Sequence, residues 1–259
     1  MVLSIAVTNQ KGGVGKTTTC INLAAELGRL GYSVLAVDMD PQGNCSSGLG
    51  IEADAVNVSL YDVLLGGASI QEALVATPWE GVSLLPATID LAGAEVELAS
   101  IISRETCLRR HMAKLDHYDV AIIDCPPSLG LLTINALVAA QKLIVPIQCE
   151  YYALEGVGQL ARTIGLVRDC LNPDLSIDGV LLTMFDSRTR LAHDVVEEVR
   201  RQFGEIVFST VIPRNVKLSE APSYAKPITY YEPASTGAQS YTLFSREVAT
   251  RWLHLKTKR

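Results

Sequence analysis

The stretch Asn9-Gln10-Lys11-Gly12-Gly13-Val14-Gly15-Lys16-Thr17-Thr18-Thr19 decides how this chain is read. It follows an apolar run at residues 3–8 and opens an amphipathic run at 16–31. That is the strand–loop–helix setting a phosphate-binding loop requires. Glycines let successive backbone N–H groups converge on phosphate oxygens. A helix beginning near Lys16 turns the positive end of its dipole toward the same anion. Lys16 can reach the β- and γ-phosphates, and the Thr17 hydroxyl can ligate Mg²⁺. The general pattern expects glycine at position 10, where this chain has Gln10. It carries instead a lysine inside the loop, Lys11.

Two further segments suit a nucleotide site. Val34-Leu35-Ala36-Val37-Asp38-Met39-Asp40 puts two carboxylates at the end of a second apolar run. Ligands of open α/β sheets sit at those carboxyl ends. Val120-Ala121-Ile122-Ile123-Asp124 is a buried-type strand ending in a carboxylate, which can hold Mg²⁺ through its water shell. Either segment alone is as readily a turn former or helix cap; beside the loop they read as functional.

Outward from these motifs, strand-length and helix-length segments alternate. Strands are expected at 3–8, 33–38, 82–86, 119–124, 143–147, 177–183 and 206–212. Helices are expected at 16–31, 131–140, 153–171, 192–203 and 237–255, with two short ones in 59–76 and helical stretches in 90–115. Residues 40–50 and 216–235 read as loops. Short, continuous Val/Ile/Leu runs fit a parallel sheet covered on both faces. The alternation implies right-handed βαβ units. The expected fold class is therefore α/β: a doubly wound, mainly parallel sheet with helices on both faces, like other phosphate-loop proteins. With no linker, repeat or low-complexity tract, one domain spanning 1–259 is the simplest organisation.

Composition sets outer limits. Of 259 residues, 48% are apolar and 19% charged, which excludes disordered and fibrous classes. No apolar run approaches the roughly 18–20 residues that span a bilayer. No signal peptide is visible, so the chain is read as cytoplasmic. The six cysteines, with no CxxC spacing, are expected as buried reduced thiols. Charge is uneven: residues 1–179 carry 10 basic and 20 acidic side chains, residues 180–259 carry 12 and 8. Any nucleic-acid-binding patch would lie in the C-terminal third.

The motifs KGGVGKTTT with its extra Lys11, DMDPQGN at 38–44 and IIDCPPSLG at 122–130 resemble the deviant Walker A ATPases. That group includes ParA/Soj partition ATPases, MinD division-site ATPases and nitrogenase-type iron proteins. EYYALEG at 150–156, TMFDSRT at 183–189 and VIPRNVKLSEAPS at 211–223 are similar to the chromosomal ParA/Soj branch. The resemblance runs from about residue 3 to 250. It implies an ATPase that binds ATP with Mg²⁺ and forms a nucleotide sandwich homodimer. It implies non-specific binding of that dimer to double-stranded DNA, hence a nucleoid-associated state. It also implies hydrolysis stimulated by a ParB/Spo0J-type centromere-binding protein, releasing the dimer from DNA.

Residue by residue, the resemblance makes Lys11, Lys16 and Asp40 catalytic. Lys11 would reach the partner subunit's phosphates, and Asp40 would orient the attacking water. Lys11, Gly12, Gly13, Val14, Gly15, Lys16, Thr17, Thr18 and Asp124 would hold the phosphates and metal, with Thr17, Asp40 and Asp124 on the metal side, largely through water. Pro213 and Asn215 would contact the adenine side, and Arg188 and Lys217 the DNA. A site completed by a lysine in trans makes hydrolysis depend on dimerisation, as an arginine finger does.

Two rivals within the group carry their own marks. A MinD-like membrane ATPase would use a C-terminal amphipathic helix; Val248, Trp252 and Leu255 lie at helical spacing, but packing on the sheet accounts for that face. An iron-protein relative would use cysteines to bridge a cluster; Cys125 is followed by Pro126-Pro127 rather than the glycines of that subfamily. No membrane partner is expected. With a strand expected from residue 3, no preceding sequence-reading helix-turn-helix is expected.

Overall fold

The strand signals at 3–8, 33–38 and 119–124 lie side by side in one sheet of a computed structural model that describes residues 2–150 and 155–253. In chain order the elements are β1 (Leu3–Val7), α1 (Lys16–Arg29), β2 (Val34–Asp38), α2 (Asn44–Gly48), α3 (Leu60–Leu65), α4 (Ile70–Ala73) and β3 (Val75–Ala76). There follow β4 (Val82–Leu85), α5 (Leu91–Glu97), α6 (Cys107–Met112), β5 (Val120–Asp124), α7 (Leu131–Ala139), β6 (Lys142–Gln148) and α8 (Glu155–Cys170). The chain closes through β7 (Ile177–Phe185), α9 (Arg190–Phe203), β8 (Val207–Pro213), α10 (Val216–Glu220), α11 (Ile228–Tyr231) and α12 (Thr236–Trp252).

The eight strands are ordered β3-β4-β2-β5-β1-β6-β7-β8. All pairs are parallel except β3 with β4. The sheet is thus doubly wound and mainly parallel, as the alternation predicts. Successive side chains of a strand point to opposite faces, and both faces are apolar here. Ile5, Val7, Val34, Ala36, Val120 and Ile122 pack on one side, with Leu23 and Leu27 of α1 and Phe244 and Val248 of α12. Ala6, Leu35, Val37, Ala121 and Ile123 pack on the other, with Leu137 of α7, Leu160 of α8 and Val199 of α9. Between β2 and β5 the register sets Asp38 opposite Asp124, and between β1 and β5 it sets Val7 opposite Asp124. Strand order therefore delivers both buried carboxylates and the phosphate loop to one end of the sheet.

Two expected loops are partly helical. Residues 44–48 form α2 because Gly43, at φ 64°, turns the chain in the left-handed conformation that starts it. Residues 216–231 form α10, a 3₁₀ turn and α11. Asn215 caps α10 by accepting from the Lys217 amide at 2.8 Å, and Pro222 opens the 3₁₀ turn, where its missing N–H costs nothing. The prolines punctuate short helices there instead of preventing them. The thiol expectation also needs one correction. Cys20, Cys45, Cys107, Cys125 and Cys149 are free and buried, but Cys170, at the end of α8, is exposed.

The apolar face of the last helix packs inward. Val248 is fully buried, and Trp252 meets Phe208 of β8 edge-on with ring centroids 5.6 Å apart. No described helix is long and apolar enough to cross a membrane. Leu255 and the tail after residue 253 lie outside the described residues, as does most of the 150–156 motif.

Candidate active site

The loop after β1 is shaped by glycine. Gly13 has φ 74° and Gly15 φ 91°, in the left-handed region, and Gly15 is the residue from which α1 starts. No atom lies within 4 Å of where a side chain on Gly12 or Gly13 would begin, so that side of the loop is open. Two side chains brace it from behind. Asn9 accepts from the Lys11 amide at 3.0 Å while donating to the Pro146 carbonyl of β6 at 2.7 Å. Thr183 of β7 donates to the Val14 carbonyl at 2.9 Å. The loop is therefore held on two neighbouring strands, β6 through Asn9 and β7 through Thr183.

A cavity of about 260 Å³ lies over this loop, walled by Gly12, Gly13, Gly15, Lys16, Thr17, Thr18, Asp40, Asn44, Pro127 and Met184. Lys16 is buried and its Nζ donates to the Lys11 carbonyl at 3.1 Å. Burial lowers the proton affinity of its ammonium, and Asp124, Cys125 and Asp40 nearby pull it back up. Asp40 is half-buried at the mouth; its Oδ1 accepts from the Gln42 amide at 3.0 Å.

Beneath the cavity stand the two strand-end carboxylates, both fully buried. Asp38 accepts from the Ser46 amide at 2.8 Å and hydroxyl at 2.7 Å, which fastens α2 to the end of β2. Asp124 Oδ1 accepts from the Cys20 thiol at 3.5 Å, the Thr17 hydroxyl stands close by, and among the described residues the buried Oδ2 has no partner. Burial and then the charge of Asp38 push Asp124 well above the usual carboxylate range, with the Thr17 hydroxyl and Cys20 thiol pulling the other way. An orphaned buried carboxylate oxygen beside a threonine hydroxyl suits a divalent cation or its bound water.

A second cavity, about 380 Å³, shares Gly15, Thr18 and Met184 with the first. Its remaining wall comes from the far end of the chain and includes Ile212, Pro213, Asn215, Leu218, Pro222 and Tyr241. The two spaces together are an elongated slot, polar at the loop end and mostly apolar at the other. Such a slot fits a nucleoside polyphosphate: backbone amides and Lys16 for the anionic end, apolar walls for a base.

The sequence expectations distribute unevenly over this slot. Gly12, Gly13, Gly15, Lys16, Thr17, Thr18 and Asp40 line the phosphate end, and Pro213 and Asn215 the other. Lys11, Val14 and Asp124 are not on the wall. Lys11 is half-buried, the Val14 side chain is buried beneath the loop, and Asp124 sits below Thr17. Arg188 lies outside, paired with Asp186 through Nε at 2.8 Å and Nη2 at 2.7 Å. Lys217 is paired with Glu220 at 2.8 Å and stands 5.8 Å from the Tyr231 ring centre.

Known proteins agree with this geometry. A family model described as an AAA domain matches residues 2–177. The sporulation initiation inhibitor protein Soj of Bacillus subtilis is 57% identical across 95% of this chain and 97% of its own. The chromosome partitioning protein ParA of Myxococcus xanthus is 55% identical across 95% of this chain and 88% of its own.

The chain belongs to the ParA/Soj family of partitioning ATPases.

Solved structures share the fold of this ParA/Soj chain. One, from Mycobacterium smegmatis and described as cobyrinic acid a,c-diamide synthase with bound ADP and magnesium, is 44% identical with a TM-score of 0.85 over 100% of this chain and 99% of that one. The septum site-determining protein MinD of Pyrococcus horikoshii, complexed with Mg-ADP, is 29% identical with a TM-score of 0.77 over 96% of each chain.

Several residues of the ParA/Soj site carry no sequence signal of their own. Met184 borders both cavities with φ 52°, a backbone conformation uncommon for a non-glycine residue. Tyr241, 222 positions from Thr19, exchanges a 3.2 Å hydrogen bond with it and walls the base end. Thr183 lies inside a quoted motif, yet its bond to Val14 depends on β7 lying two strands from β1.

Proposed function

We propose that this chain is a DNA-partitioning ATPase whose ATP-bound homodimer binds DNA without sequence preference and leaves it on hydrolysis. The observation that carries the reading is the continuous slot with Lys16, Thr17 and Asp40 at one end and Pro213 and Asn215 at the other. It is supported by family membership and by relatives named for chromosome partitioning that match over 88–97% of their own length. The whole chain, 1–259, acts as one ATPase domain.

ATP is the substrate and Mg²⁺ the cofactor. The amides of Gly12, Gly13, Val14 and Gly15 and the first turn of α1, with Thr18, receive the phosphates. Lys16 leaves the Lys11 carbonyl and neutralises phosphate charge. Thr17, Asp40 and Asp124 would hold the metal, largely through its water shell. Mg²⁺, when bound, neutralises charge developing on the transferred phosphoryl group. Asp40, at the mouth, orients the attacking water. Lys11 acts on the phosphates of the partner subunit, so a monomer hydrolyses slowly. Pro213 and Asn215 receive the adenine side.

Arg188 and Lys217 contact DNA phosphates, which positions the dimer without reading sequence. A ParB-type centromere-binding partner stimulates hydrolysis, and the protein is nucleoid-associated while ATP is bound.

The deciding experiment combines light scattering with ATP or ADP and ATPase assays with and without DNA and a ParB-type partner. ATP-driven dimerisation that is lost in Lys11→Ala, with stimulated hydrolysis lost in parallel, is the expected result. Normal dimerisation and normal stimulation in Lys11→Ala would refute the trans role.

A further inference from the structure

We propose that Cys20 is a positioning residue for the carboxylate of Asp124, aiming its free oxygen at the metal. The thiol Sγ donates to Asp124 Oδ1 at 3.5 Å, and Oδ2 is buried and unpartnered. The last torsion of an aspartate is broad and close to two-fold. A buried carboxylate with no donor on either oxygen therefore has nothing to fix the plane in which its oxygens face the metal. The neighbouring Asp38 is fixed by two short bonds from Ser46 at 2.7 and 2.8 Å. Asp124 has the thiol and the nearby Thr17 hydroxyl, and once that hydroxyl turns to the metal the thiol is the donor left to it among the described residues.

The placement follows from helix geometry. Cys20 lies three residues after Thr17 on α1, so both side chains fall on the same helix face. That face meets the end of β5, where Asp124 stands. One helix thus presents a hydroxyl for the metal and a thiol for the carboxylate that shares it. A thiol is a weak donor, so the effect is one of orientation. Partners of metal-ligating groups alter metal affinity by about 10–100-fold when removed, and a weak donor belongs near the lower limit.

This inference rests on the reading of Asp124 given above, and the test separates the two. Binding of a fluorescent ATP analogue, mant-ATP, is followed while MgCl₂ is titrated into wild type, Cys20→Ala, Cys20→Ser and Asp124→Asn. Metal-free binding in EDTA and the thermal midpoint are recorded for each. The half-saturating Mg²⁺ concentration is expected to rise about tenfold in Cys20→Ala. It is expected to return to near wild type in Cys20→Ser, which restores a donor, while metal-free binding stays unchanged in both. An unchanged Mg²⁺ requirement in Cys20→Ala beside a raised one in Asp124→Asn overturns the role of Cys20 alone. Equal shifts in Cys20→Ala and Cys20→Ser overturn it too, because they report packing and not a donated bond. An unchanged requirement in Asp124→Asn overturns the metal role of Asp124 and this inference with it.

Discussion

Thr183 Oγ1 donates a 2.9 Å hydrogen bond to the Val14 carbonyl, joining residues 169 positions apart. The bond ties the phosphate loop to β7 from behind. The same strand end carries Met184, which borders both halves of the slot.

Thr183→Val keeps the shape and removes the donor, leaving a buried carbonyl unpaired. The expected cost is about 1–3 kcal/mol in urea unfolding. Nucleotide affinity should fall as well, because the loop loses its far anchor. Unchanged affinity in a nucleotide titration would show that Asn9 suffices to shape the loop.

Gly28→Ala sets two effects against each other. In a helix interior alanine is favoured over glycine by about 1 kcal/mol. Here a Cβ would run into the backbone carbonyl of Glu80. Forced overpacking against immobile backbone costs about 3 kcal/mol, so packing wins and the variant should be destabilised by about 2 kcal/mol. Chemical denaturation measures it; a stabilised variant would mean that the 78–81 turn yields.

Asp40→Ala should separate binding from hydrolysis. Asp40 accepts from the Gln42 amide within its own turn and lines the slot mouth, so mant-ATP affinity should change less than threefold. Turnover should fall by about 100-fold or more, the scale of a lost proton-transfer or water-orienting group. A matching loss of affinity would place Asp40 in binding instead.

Both cations expected on DNA are already paired, Arg188 with Asp186 and Lys217 with Glu220. Arg188→Glu with Lys217→Glu should abolish DNA binding and leave ATP-driven dimerisation intact. Asp186→Asn should strengthen it severalfold by freeing Arg188, while its remaining oxygen still accepts from the Arg188 amide. With two phosphates neutralised per subunit, log affinity should fall against log salt with a slope of about −3.6. Electrophoretic shifts on two unrelated duplexes, with ATP and ADP, read all three outcomes.

Burial raises Asp38 to about 6, with the Ser46 bonds opposing. The usual carboxyl value, near that of the unfolded chain, is about 4. The folded protein therefore binds the extra proton between those values, and stability falls as pH rises through that window. Asp124, also raised, adds to the same slope. Thermal midpoints of metal-free protein should drop from pH 4.5 to 6.5, and Asp38→Asn should flatten the drop. A rise for wild type across that range would reverse the sign assigned to Asp38.

The phosphate loop, the strand-end aspartates and the alternating layers were legible in the sequence because each is local. Glycine spacing, a strand of four apolar residues and a terminal carboxylate need no partner to be recognised. Tyr241, Met184 and Thr183 were not, since their roles come from which strands become neighbours. The helices at 44–48 and 216–231 were missed because Gly43 and Pro222 read as breakers, although each starts a helix here. The orphaned oxygen of Asp124 and the pairing of Arg188 with Asp186 are matters of distance alone.

The two ends of the slot come from different stretches of chain. Phosphate-end groups fall between residues 12 and 127 apart from Met184, while Ile212, Pro213, Asn215, Leu218, Pro222 and Tyr241 of the base end lie well beyond residue 177, where the family model stops. In the proposed orientation of the nucleotide, base preference and hydrolysis are separable by mutation: recutting the late segment would redirect which nucleobase is admitted and leave the chemical machinery in place. A bound nucleotide also bridges the early and late segments, so it acts as a removable cross-link between two distant parts of the polypeptide.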